Sequence, residues 1–111
     1  MSWQVVYTPE ASKDVTPLDG SQRKEYAKAI NKVSQNPFPP QREGGYGKPL
    51  GNKGGRNLTG LLKVKLRGAG LRIVYALERR DEEMVIVIVG ARADDEVYDI
   101  AAERWDRYAR Q

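Results

Sequence analysis

LLKVKLRGAGLRIVY, residues 61–75, decides the fold. Strand side chains alternate between two faces, so Leu62, Val64 and Leu66 form an apolar face while Lys63, Lys65 and Arg67 stand on the other. Gly68-Ala69-Gly70 supplies a tight turn, and Leu71–Tyr75 returns as an antiparallel partner carrying Arg72. Four cations therefore fall within ten residues, and no carboxylate is nearer to them in sequence than Glu78. A cluster of this kind is expected to meet an anion.

Moving outward, three strands are predicted at about 61–68, 71–79 and 84–91, each joined to the next by a short turn and so antiparallel to it. The run MVIVIVGA at 84–91 has almost no polar residue, which predicts a central strand covered on both faces. Asp94-Asp95-Glu96 opens a final helix with carboxylates at its positive end and Val97, Ile100, Ala101, Trp105 and Tyr108 at helical spacing. Towards the N-terminus, WQVVYT at 3–8 reads as a strand. Thr8 and Pro9 cap and open a short helix that Pro17 stops, and Ser21 is placed to cap a second helix. Tyr26, Ala29, Ile30 and Val33 give that second helix one apolar stripe, which Asn36-Pro37 ends. Residues 37–60 hold four prolines and seven glycines and are predicted to be a long loop bearing Arg42, Lys48, Lys53 and Arg56 towards the basic strands. Its Gly-Asn-Lys-Gly-Gly stretch lacks the spacing of a nucleotide-binding P-loop. The predicted class is α+β, one domain over 1–111, ordered strand–helix–helix–strand–strand–strand–helix. A small, largely antiparallel sheet is packed by two N-terminal helices and a C-terminal helix.

Composition narrows the chemistry. At 111 residues, 40% hydrophobic and 31% charged, the chain suits one soluble domain with a modest core. No apolar run approaches the roughly 18 residues of a membrane span, and no membrane partner is expected. The N-terminus lacks a basic start followed by an apolar signal core, so a cytoplasmic location is expected. Cysteine and histidine are both absent. That excludes disulfides, thiolate nucleophiles, histidine triads and imidazole or thiolate metal sites, and leaves acid–base work to Lys, Arg, Tyr, Asp or Glu. The net charge of +4 is unevenly placed: +1 over residues 1–40, +8 over 41–80 and −5 over 81–111. A basic middle suggests one surface that meets a polyanion.

An RNA chain carries its own nucleophile, the 2′-hydroxyl beside each phosphodiester. A protein can cleave it with no metal or cofactor by taking that proton, stabilising the extra charge at phosphorus and protonating the leaving 5′-oxygen. Lysine is an ordinary ammonium at neutral pH, but crowding by other cations disfavours its charged form and frees a fraction to act as base. Lys63 and Lys65 beside Arg67 and Arg72 meet that condition. The arginine fork suits two phosphate oxygens. The same residues would also serve a non-catalytic RNA surface or an acidic protein partner, and their pattern alone leaves all three open.

The stretch KVKLRGAGLRIVY, the VIVIVGAR strand and DDEVYDIAAERW together resemble the RelE-type toxins of the RelE/ParE superfamily of type II toxin–antitoxin pairs. The resemblance is dense over 61–105 and looser over 1–40, and residues 41–57 look longer and richer in glycine than in typical members. It implies a metal-independent endoribonuclease, an mRNA interferase that cuts mRNA in the ribosomal A site and leaves a 2′,3′-cyclic phosphate. The implied partners are a cognate antitoxin, mRNA and the ribosome with its rRNA. It also implies roles: Lys63 or Lys65 as base, Arg72 as phosphate contact, Arg92 as acid or charge stabiliser, and Tyr98 to orient or stack on the nucleotide. Arg67, Arg56, Lys53 and Lys48 become RNA contacts. Ala91 stands where a basic residue is common. The ParE branch, which is similar in fold but poisons gyrase, is the alternative within the superfamily. A plain RNA- or protein-binding module is the alternative outside it.

Overall fold

A computed structural model describes residues 3–39, 45–53, 56–91 and 93–109. In chain order the elements are β1 (Gln4–Tyr7), α1 (Pro9–Asp14), α2 (Gly20–Val33), β2 (Lys48–Lys53), β3 (Arg56–Leu66), β4 (Leu71–Glu78), β5 (Glu83–Gly90) and α3 (Asp94–Ala109). One sheet holds the five strands in the order β1-β5-β4-β3-β2. β1 runs parallel to β5 and every other pairing is antiparallel. The α+β class and the largely antiparallel sheet are as predicted.

Local chemistry explains most boundaries. Thr8 caps α1 by accepting from the Ala11 N–H at 3.1 Å, with Pro9 in the first turn where its missing N–H costs nothing. α2 is capped by Asp19 and not by Ser21. The Asp19 carboxylate accepts from the Gln22 N–H at 2.8 Å while the Gln22 side chain accepts from the Asp19 N–H at 3.1 Å, a reciprocal capping box that Ser21, one residue inside the helix, is too late to form.

The larger correction concerns the loop predicted over 37–60, because residues 48–53 form a further strand and β3 begins at Arg56. Pro49 is tolerated because β2 is the sheet edge, where an N–H is dispensable. The register slips between Pro49 and Gly51, and Gly51 has a φ of 62°. Lys53 and Arg56 are register partners at the end of the β2–β3 ladder.

The sheet carries helices on both faces. Trp3, Ala11, Tyr26 and Val33 pack with Ile73, Tyr75, Met84 and Ile86 on one side. Leu58, Leu61, Val74 and Val87 pack with Val97, Tyr98 and Ala101 of α3 on the other, and Trp105 lies against that second cluster. β5 is buried along Met84–Val89, as its apolar run predicts. A register shift opposite Val74 and Tyr75 turns Val87 and Ile88 both towards α3. Asp14 reaches this irregular stretch. Its carboxylate accepts from the Val89 N–H at 3.0 Å and from Arg104 at 2.7 and 3.2 Å, while Arg104 also donates to the Val87 carbonyl at 3.0 Å. Both side chains are more than four-fifths buried, so α1, β5 and α3 are tied through one desolvated pair.

Asp14→Ala strands the Arg104 guanidinium and the Val89 N–H, and urea unfolding at neutral pH is expected to show a loss of about 2–4 kcal/mol. Replacing both partners by apolar residues of similar size costs less than the single change. Equal stability of Asp14→Ala and wild type would contradict this account of the tie.

Candidate active site

The β3–β4 register sets Lys65 opposite Arg72 and Lys63 opposite Val74. Lys63, Lys65 and Arg72 therefore stand on the face that carries α3, while Val64 and Leu66 pack against the core on the α1/α2 side. Two like charges directly across a strand pair repel each other. α3 answers that repulsion. Asp94, in its first turn, accepts from Lys65 Nζ at 2.8 Å through one oxygen and from Arg72 Nε through the other. One turn later the Tyr98 hydroxyl accepts from Lys63 Nζ at 2.9 Å, and the Lys63 ammonium lies 5.4 Å from the Tyr98 ring centroid.

The match is metrical. Four helical residues advance about 6 Å and two strand residues about 6.6 Å, so the i,i+4 pair Asp94/Tyr98 meets the i,i+2 pair Lys65/Lys63. Gly90, the register partner of Arg72, makes the approach possible: a Cβ there would lie 3.2 Å from a Val97 methyl.

The electrostatics separate the two lysines. Lys63 has its pKa lowered, first by burial and next by Lys65, with Arg72 and Arg67 adding to the effect and Asp94 opposing it. Among the described residues it has no carboxylate partner, only Tyr98. Lys65 is ion-paired. Asp94 is held well below the usual carboxylate range, at about 2, by the hydrogen bonds from Lys65 and then Arg72.

Tyr98 is buried within the α3-side core although the sequence puts it off the main apolar stripe. Its ring packs while its hydroxyl faces the cations. Arg67 is exposed in the turn after β3. Lys48 is exposed and is the register partner of Lys63, so it joins the cluster. An open groove of about 310 Å³ is lined by Tyr46, Lys48, Lys63, Val64, Lys65 and Arg67.

Lys53 and Arg56 are placed by their backbones alone. Their backbones pair at the far end of the β2–β3 hairpin, seven residues from Lys63 and on the order of 20 Å along the strand. Arg92 lies outside the described residues. Sequence reasoning missed Asp94 as the counter-ion of the cluster; its spacing of four residues from Tyr98 is the signal that could have found it.

Residues 5–96 match the family model for the ParE toxin of the type II toxin–antitoxin system parDE. An Escherichia coli RelE-like toxin protein is 31% identical over 106 residues, covering 94% of this chain and 98% of the relative. The chain belongs to the RelE/ParE family of toxins. Among solved structures, E. coli toxin RelE carrying two arginine-to-alanine substitutions, in the free state, superposes with a TM-score of 0.70 at 23% identity. That match covers 94% of this chain and 98% of RelE. The toxin–antitoxin complex RelBE2 of Mycobacterium tuberculosis matches at a TM-score of 0.65 and 20% identity, over 83% of this chain and all of the other. These likenesses show that the RelE fold is shared, including the sheet and helix layers that hold the cation cluster here.

Because the Asp94 carboxylate titrates lower in the folded toxin than the ordinary 3.8, the folded state binds fewer protons than the unfolded one in that range. Its stabilising contribution is present in full above about pH 4 to 5 and fades as pH falls through about 2. The stability difference between wild type and Asp94→Asn, measured by urea unfolding, is therefore expected to be constant at neutral pH and to shrink between about pH 4 and 2. A difference that stays constant down to pH 2 would contradict the ion-pair account.

Proposed function

We propose that this toxin is an endoribonuclease that cleaves mRNA by attack of the ribose 2′-hydroxyl on the adjacent phosphodiester. The observation that carries the reading is the division of labour between neighbouring lysines. Lys63 is partly buried, crowded by cations and, among the described residues, hydrogen-bonded only to Tyr98, while Lys65 and Arg72 converge on one anion.

In this mechanism neutral Lys63 Nζ takes the 2′-hydroxyl proton. The 2′-oxygen bonds to phosphorus, and Lys65 and Arg72 stabilise the charge that accumulates on the non-bridging oxygens. The bond from phosphorus to the 5′-oxygen then breaks, leaving a 2′,3′-cyclic phosphate and a 5′-hydroxyl. The proton for the 5′-oxygen is assigned to Arg92 on the family resemblance. Tyr98 holds Lys63 Nζ in place. The Asp94 carboxylate stands where phosphate oxygens would sit, so RNA binding displaces an internal anion from Lys65 and Arg72.

An active site without histidine has poor acids and bases at neutral pH. We assign the missing orientation of the 2′-hydroxyl to the ribosomal A site, which makes cleavage ribosome-dependent. A cognate antitoxin is the proposed protein partner, in line with the complexes in which structural relatives have been solved. The name of the matching family model supports a second reading, gyrase poisoning.

Primer extension on mRNA from a translating extract tests both readings. Wild type is expected to produce discrete cuts, and Lys63→Ala to lower the cleavage rate about 10²-fold or more while changing affinity far less. Because burial and neighbouring cations lower the Lys63 pKa, the rate of wild type is expected to rise with pH and level off below the ordinary lysine value of 10.5. Intact mRNA together with inhibited supercoiling would replace the nuclease with the gyrase reading.

A further inference from the structure

Tyr46 is the one large hydrophobic side chain that is strongly exposed among the described residues, at 50%. It is nonetheless held in a fixed place. Its N–H donates to the Asn36 carbonyl at 3.0 Å, and the next N–H, of Gly47, donates to the Phe38 carbonyl at 3.2 Å. Gly47 packs so tightly on the core that a Cβ there would fall 1.8 Å from the hydroxyl oxygen of buried Tyr75, which itself donates to the Pro37 carbonyl at 2.8 Å. The backbone on both sides of the ring is thus fastened to the end of α2 and to β4.

Among the described residues, the charged side chains beside the ring are cations. Lys32 of α2 sits 4.9 Å from its centroid, and the groove it lines continues through Lys48, Lys63, Lys65 and Arg67. A single exposed ring is ordinary on a protein surface; what sets Tyr46 apart is its fastened backbone and its place in a groove lined by cations. An acidic peptide would satisfy the cations, but a flat ring beside a row of them fits a chain that alternates phosphates with flat bases.

We propose that Tyr46 is a stacking platform for a base of single-stranded RNA next to the scissile phosphate. The inference rests on the nuclease reading and extends it. The phosphodiester lies on Lys65 and Arg72, an adjoining phosphate lies on Lys48 or Arg67, and the base between them stacks on the Tyr46 ring. Stacking tolerates any base but favours the larger purines, so Tyr46 contributes affinity and biases where the mRNA is cut.

The test compares wild type, Tyr46→Ala, Tyr46→Phe and Lys63→Ala on one defined mRNA in a translating extract, with rates and cut sites read by primer extension. Tyr46→Ala is expected to raise KM about tenfold, to leave kcat within about twofold, and to redistribute the cut sites. Tyr46→Phe restores the wild-type pattern because it keeps the ring, and thermal melting of both variants matches wild type. Unchanged KM and cut sites in Tyr46→Ala, with Lys63→Ala inactive, overturn the stacking role and leave the nuclease standing. Absence of cutting by wild type overturns the nuclease and the stacking role together. A Tyr46→Phe variant as defective as Tyr46→Ala shows that the hydroxyl matters and not the ring, and overturns the inference. So does a Tyr46→Ala variant that cuts normally but no longer co-purifies with its antitoxin, because the ring then belongs to a protein interface.

Discussion

The Asp94 carboxylate, shared between Lys65 and Arg72, is the contact on which the arrangement of this toxin turns. Cross-strand register forces the two cations together, and without an anion between them the β3–β4 hairpin would carry uncompensated repulsion on its functional face. Asp94 offsets that repulsion. In doing so it fixes the start of α3 over the hairpin, so that Tyr98, one turn on, meets Lys63. Asp14 and Arg104 hold the helix farther along, against the Val87 and Val89 backbone of β5. The helix is thereby aligned at both ends by charge while Val97 and Ala101 bury its apolar stripe between them.

This arrangement resolves an ambiguity between two lysines of identical chemistry. Placed two residues apart on one strand face, Lys63 and Lys65 differ in their cross-strand neighbours and in what the helix offers each of them. Lys65 receives a carboxylate and becomes part of an anion-binding pair with Arg72. Lys63 receives a phenol, which neutralises nothing, and burial with neighbouring cations then destabilises its charge. The proposed reaction uses one lysine of each kind. Asp94 already occupies the anion position between Lys65 and Arg72, so under the nuclease proposal RNA would enter by exchange of one anion for another.

Much of this was legible in the sequence. Period-two alternation placed Lys63, Lys65 and Arg72 on one face, and the short turn at 67–70 guaranteed that Arg72 would face Lys65. The β5 run read as a strand covered on both sides, and Thr8-Pro9 read as a helix start, because both signals are local. What escaped was non-local or masked by composition. β2 hid behind Pro49 and Gly51, which are breakers in a central strand but harmless on an edge. Asp94 pairs across 22 and 29 residues, so a search for counter-ions nearby in sequence passes over it. The acidic tail of the chain looked like a contrast to its basic middle, and in the fold it supplies that middle with its own carboxylate. Tyr46 drew no notice in a segment taken for loop.

The central claim is that a lysine base and a paired-cation phosphate site perform attack by the 2′-hydroxyl. The chemistry of the cut end tests it most directly. Mass spectrometry of the fragments released from a defined mRNA in a translating extract is predicted to find a 2′,3′-cyclic phosphate on the upstream fragment and a 5′-hydroxyl on the downstream one. Upstream fragments ending in a free 3′-hydroxyl, with 5′-phosphate on the downstream partner, would mean that water attacked instead of the ribose and would contradict the account.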